Sequence, residues 1–161
     1  MIIRTKNMVR GVIITTMYVI TTLIIPIVTF SLIRTIDVSA FGITVNLAQE
    51  RYSQIIYWIL ALGLVICGFA FFTFSSPRQS IRRGFSALIQ VFLNCLYIWS
   101  YKFSGATDIR FEILSLGLLS IDVANLVMVY LGIYFMLVII KVYDLFDFII
   151  NRKKIQEGRD K

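Results

Sequence analysis

Apolar positions come in four long blocks, with the polar positions crowded between them. Residues 11–33, 54–75, 84–101 and 120–141 are nearly free of Lys, Arg, Asp and Glu. A helix needs about 20 apolar residues to cross the hydrocarbon of a bilayer, so each block predicts one crossing. The expected fold is an all-α integral membrane protein: one membrane domain over residues 1–161, folded as a four-transmembrane-helix bundle. Beyond the last block the pattern changes. Lys141, Asp144, Asp147, Asn151 and Lys154 recur at spacings of three and four, while Leu145, Phe146, Ile149 and Ile150 lie mostly on another face. That spacing predicts an interfacial amphipathic helix over 142–152, followed by a polar tail over 153–161.

Two segments between the blocks show strand periodicity instead. Phe41, Ile43, Val45 and Leu47 alternate with Gly42, Thr44 and Asn46, and apolar and charged residues alternate over 109–113. Both lie on the same side of the bundle. A lone strand leaves its backbone donors open, so the two segments predict a small β-cap there. Helix ends carry their own signals. Asn46 is a possible N-cap for the second helix, with Gln49 at its third position. Ser76-Pro77-Arg78-Gln79 reads as a capping box that starts the third helix. Ser120 reads as the N-cap of the fourth, which places Asp122 in a first turn where the helix dipole favours a carboxylate. Pro26 lies inside the first block. It removes one donor and predicts a kink, leaving the Thr22 carbonyl for a neighbouring helix to satisfy; a hinge is the alternative.

Composition supports the membrane reading. The chain is 58% hydrophobic with a mean hydropathy of +0.84, more apolar surface than a soluble domain of this length can hide. Arg4, Lys6 and Arg10 ahead of an apolar run resemble the start of a signal peptide. The run exceeds the usual length and lacks a clean small-residue cleavage site, so a retained helix is expected.

Charge placement sets the expected orientation. The net charge is +7, which could point to nucleic acid. The N-terminal segment, the second inter-helix loop and the C-terminal segment hold twelve of the sixteen basic residues against four acids. The other two loops are each neutral. The positive-inside rule makes the basic face cytoplasmic, with both termini inside and the β-cap extracytoplasmic. That face should draw anionic lipid headgroups, with Arg78, Arg82, Arg83, Arg152, Lys153 and Lys154 as candidate contacts; no nucleic-acid partner is expected. The plasma membrane is the expected location.

The chemistry on offer is narrow. The chain has no His, so imidazole catalysis and ligation are excluded. Cys67 and Cys95 fall inside spans and read as small buried hydrophobes. No Gly-rich phosphate loop, nucleophile elbow, zincin motif or paired intramembrane carboxylate is present, so a membrane enzyme ranks third among the readings, and no metal or cofactor is expected. Polar residues inside a span are functional candidates. Ser86, Gln90 and Asn94 follow at i, i+4, i+8, and Tyr97 and Tyr101 extend the stripe. Asp122 and Asn125 lie at i, i+3 in the last block. Two readings stay open. These groups are interhelical hydrogen-bonding partners in an accessory or scaffolding subunit that packs with other membrane proteins or itself. Alternatively Gln90, Asn94, Asp122 and Asn125 form the site of a homo-oligomeric channel or transporter. Four spans with inner termini and strand-like outer loops resemble the claudin-like layout. Residues 34–54 contain neither the Trp nor the Cys pair that resemblance implies, and no family is assigned.

Overall fold

The computed structural model describes residues 2–35, 43–45, 49–77, 80–113, 117–122 and 124–151. Helix α1 (Ile2–Val19) passes through one π-helical turn (Ile20–Ile24) into α2 (Ile25–Thr35). They are followed by β1 (Ile43–Val45), α3 (Gln49–Ser75), α4 (Ile81–Phe103), β2 (Asp108–Ile113), β3 (Gly117–Asp122) and α5 (Ala124–Ile150). Four helical segments are long and apolar enough to cross a membrane: Thr5–Thr35, Gln49–Ser75, Ile81–Phe103 and Ala124–Ile150.

The π turn follows from Pro26. Proline has no N–H to give the Thr22 carbonyl, and its ring crowds that oxygen. The chain inserts the extra residue just before it, and the Ile25 N–H bonds to Ile20 O, five residues back. The threonines of α1 and α2 mostly bond to their own helix. Thr16 donates to Val12 O at 3.0 Å and Thr29 to Ile25 O at 2.8 Å, the i−4 back-bonding that satisfies a hydroxyl in an apolar medium.

Each helix packs on the next: α1 on α3, α3 on α4, and α4 on α5. The buried cluster of Leu23, Phe30, Ile55, Ile59, Ile66, Cys67 and Tyr97 lies among the first three of these segments. Gly63 makes the closest approach possible, because Leu23 occupies the space a Cβ would need. Gly68, on another face of α3, meets nothing. Helix α5 buries no residue in the chain. It runs antiparallel to α4. Lys102 Nζ donates to Met128 Sδ at 3.8 Å near one end, and a Cβ added at Gly84 would stand 2.8 Å from Leu145 near the other.

At one end of the helices the three strands form an antiparallel sheet in the order β1-β2-β3. Ile43 pairs with Ile113 and Val45 with Phe111; across the other edge of β2, Asp108 pairs with Asp122 and Ile113 with Gly117. Gly105, at φ +77°, ends α4 at this end. The Ala106 N–H returns to Tyr101 O at 3.1 Å, the Schellman pattern that a left-handed glycine permits.

Several element ends differ from the sequence reading. Residues expected to begin the last helix form β3 instead. Helix α5 starts at Ala124, so Ser120 is not its cap and Asp122 is not in its first turn. Pairing with β2 satisfies the backbone of 117–122, which overrides the local capping signal. The third helix also starts later than the 76–79 capping box predicts. Ser76 donates its hydroxyl to Phe72 O at 2.6 Å, closing α3, and Ser80 is the N-cap of α4, accepting from Arg83 N at 3.3 Å. Residues 142–150 are not a separate interfacial helix but continue α5 without a break. The i+3 and i+4 pairs of that stretch do form: Lys141 Nζ to Asp144 at 3.0 Å and Asn151 to Asp147 at 2.7 Å. The Asn46 cap, Arg78, Gln79 and the tail with Arg152, Lys153 and Lys154 lie outside the described residues.

Candidate functional site

The polar stripe of α4 divides into two parts. Towards the sheet, Tyr97 is 7% exposed and its hydroxyl donates to Thr22 O at 2.8 Å. This is the carbonyl that Pro26 leaves without a donor. Tyr97 has one hydroxyl hydrogen, so the 2.9 Å contact with the Tyr101 hydroxyl is a donation from Tyr101. Tyr101 stacks against Phe30 at 6.1 Å between ring centroids. The Thr22 hydroxyl turns back to Tyr18 O and stands 3.9 Å from Cys67 Sγ. One proline thus accounts for a hydrogen-bond chain joining the first helical segment to α4.

Towards the other end, the helices part around a cavity of about 410 Å³. Tyr18, Thr73, Gln90 and Asn94 line it, and Arg83 and the Lys141–Asp144 ion pair stand on it nearer the loop between α3 and α4. Its walls are otherwise apolar, built from Phe74, Val91, Leu145 and Phe148. Thr73 is buried, with its hydroxyl donating to Phe69 O at 2.8 Å. Gln90 is different. It is 5% exposed and faces the cavity, and no hydrogen bond joins its amide to any described residue. Asn94, half-buried one turn further, also lines the cavity without a protein partner among the described residues.

The four residues of the candidate channel site are not brought together. Gln90 and Asn94 share the cavity. Asp122 lies in β3, and Asn125, in the first turn of α5, is exposed. On the α4–α5 register Asn125 stands level with the end of α4, about ten residues or 15 Å from Asn94. Tyr97 is level with the middle of α5. Ser86 is half-buried on the stripe, and Arg82 is exposed. The sequence reading missed Tyr97 as the partner of Thr22, and it missed Lys141 and Asp144 as neighbours of Gln90. The first could be found by asking which donor serves the carbonyl four residues before an intramembrane proline. The second needed the length of α5.

Fold and composition define a protein with four helices long and apolar enough to cross a membrane and a small antiparallel sheet. No family model, curated protein or solved structure matches the chain.

Proposed function

We propose that the chain is a non-catalytic, multi-pass membrane protein that acts as an accessory or scaffolding subunit, packing against other membrane proteins. The observation that carries this reading is α5. It is 27 residues long and buries no side chain within the chain, while Phe135, Met136 and Val129 are each more than 60% exposed. The other helices share a core; this one packs along α4 with a half-buried face and leaves the rest of its surface exposed, and lipid or a second polypeptide completes its packing. The competing channel reading loses support because its carboxylate is on a strand and Tyr97 fills the bundle beyond Asn94. In the proposed orientation both termini and the Arg82–Arg83 end are cytoplasmic, the sheet is an extracytoplasmic cap, and anionic lipids gather at the basic face of the plasma membrane.

A photo-crosslinking residue at Phe135 tests the role in native membranes. The expected product is a discrete adduct with a second polypeptide, with none from the same residue at the fully buried Ile66. Lipid adducts alone at Phe135 would remove the accessory reading. Ion flux in proteoliposomes that Asp122→Asn abolishes would restore the channel. Orientation is checked with an impermeant maleimide on intact cells, using Pro77→Cys and Lys102→Cys in a background without native cysteines. Both positions are exposed; only the second should label.

A further inference from the structure

Helix α5 carries a second packing seam that the chain itself does not fill. We propose that α5 pairs in parallel with the α5 of a second copy of this chain, along Val129, Gly132, Met136, Ile139, Tyr143 and Phe146. The inference rests on the accessory reading and names its partner: the polypeptide seated on α5 is another molecule of the same protein.

The first observation is the spacing. These positions recur at steps of three and four, and every one of them is exposed. The half-buried face of α5, against α4, uses the same steps on the opposite side: Leu131, Tyr134, Val138, Lys141, Leu145 and Phe148. A repeat averaging 3.5 residues keeps one stripe facing a partner helix along its whole length. One such stripe is filled by α4; the other is open. The second observation is length. Helix α5 has 27 residues and rises about 40 Å, against about 30 Å of hydrocarbon in a bilayer. Lys141, Asp144 and Asp147 mark the end that outruns the acyl chains. Within that charged stretch Tyr143, Phe146 and Ile150 are each more than 60% exposed, and Ile150 continues the seam at the next step of four. Lipid tails cover apolar side chains inside the hydrocarbon but not beside exposed carboxylates, where such a stripe marks a protein contact.

The third observation chooses the occupant. Two copies inserted in one orientation are related by a twofold axis along the bilayer normal, so their α5 helices run parallel and each seam residue meets its own image. The seam must therefore tolerate itself. It carries no charge. Asn125, exposed one step before Val129, has a carboxamide whose N–H fits the carbonyl of its own image. Gly132 is exposed, with nothing within 4 Å of where a Cβ would stand, so two backbones can approach closely there. The flanking charges do not clash. In a parallel pair Asp147 faces Val142 of the second copy, while Lys141 and Asp144 bond to each other at 3.0 Å off the seam.

The test uses the full chain in its native membranes, with Cys67→Ala and Cys95→Ala as background. Met136→Cys, Ile139→Cys, Tyr143→Cys and Phe146→Cys each place one thiol on the seam; Tyr130→Cys and Leu137→Cys place one at exposed positions off it. Mild oxidation is followed by electrophoresis without reductant. The expected result is a band of twice the chain mass from the seam positions, about fivefold or more stronger than from Tyr130→Cys or Leu137→Cys. Sedimentation equilibrium in mild detergent then reads the dissociation constant. Gly132→Leu should raise it about tenfold, and Gly68→Leu, in open space on α3, should change it less than about twofold. Both variants should melt with wild type when diluted to monomer, because neither new side chain meets a neighbour within the chain. Three results would overturn the proposal. One is equal crosslinking on and off the seam, the mark of random collision. Another is equal weakening by Gly132→Leu and Gly68→Leu. The third is a Phe135 photo-adduct with a different polypeptide and no disulfide along the seam, which removes the second copy and leaves the accessory reading standing. Lipid adducts alone at Phe135 remove both.

Discussion

Gln90 and Tyr97 stand seven residues apart on one face of α4, and both are more than nine-tenths buried. One closes a hydrogen-bond chain across the bundle; the other has no partner in the protein. The difference lies in what faces them. Tyr97 meets a backbone carbonyl that Pro26 has released, so its hydroxyl completes a defect in a neighbouring helix. Gln90 meets a cavity bounded by α1, α3, α4 and α5, with Gly84 and Leu145 in close approach on its lining. The same stripe therefore serves cohesion in one half of the bundle and lines an open cavity in the other. Polar spacing along a helix shows where hydrogen bonds are owed, but not which neighbour supplies them.

The largest expected effect falls on the cohesive half. Tyr97→Phe removes the donor to Thr22 O and the acceptor for Tyr101, and leaves a carbonyl unsatisfied in an apolar interior. It should destabilise the protein by about 2 kcal/mol, read by denaturant unfolding in mixed micelles. The comparison sharpens with Pro26→Ala. An alanine N–H can serve the Thr22 carbonyl within the helix, so Tyr97→Phe in that background should cost about 1 kcal/mol less than in wild type. Additive effects would separate the tyrosine from the proline.

The pair also marks how far the sequence could be read. The helical blocks follow from length and apolarity, and all four appear as helices able to span a membrane. The freed Thr22 carbonyl follows from Pro26 alone. Its partner does not, because Tyr97 lies seventy-five residues away and only packing brings it near. Residues 117–122 misled for a different reason. Ser120 and Asp122 have the side chains of a helix start, but the register of Asp122 opposite Asp108 and Ser120 opposite Arg110 belongs to a strand. The backbone can satisfy its donors either way, and β2 lies beside it. The cavity was illegible because the sequence pattern ends the last span at Lys141 and places Asp144 in an interfacial helix, when α5 continues through both to Ile150 alongside Gly84.

A smaller effect separates two serines at the opening of α4. The sequence pattern favours Ser76 as the cap, but Ser80 occupies that place and accepts from Arg83 N. Ser80→Ala should cost about 1 kcal/mol. Ser76→Ala loses only a back-bond to Phe72 O at the end of α3 and should cost less than about 0.5 kcal/mol. Thermal melts of the two variants in one detergent give the order directly. A reversal would mean that α4 begins one turn earlier than Ile81.

The smallest effect belongs to Asn94, one turn beyond Gln90 and half-buried on the cavity. Its amide has no protein partner among the described residues, so removing it takes away no hydrogen bond. Asn94→Leu keeps similar volume and places apolar atoms beside Val91, another wall of the cavity. The expected change in stability is within about 0.5 kcal/mol of zero, the range of substitutions that break no specific interaction. This contrasts with Tyr97→Phe, which deletes a single oxygen and is nevertheless expected to be far more damaging. Equal destabilisation by the two variants, measured side by side, would mean that the stripe is one cohesive network and that its division into a holding half and an open half is wrong.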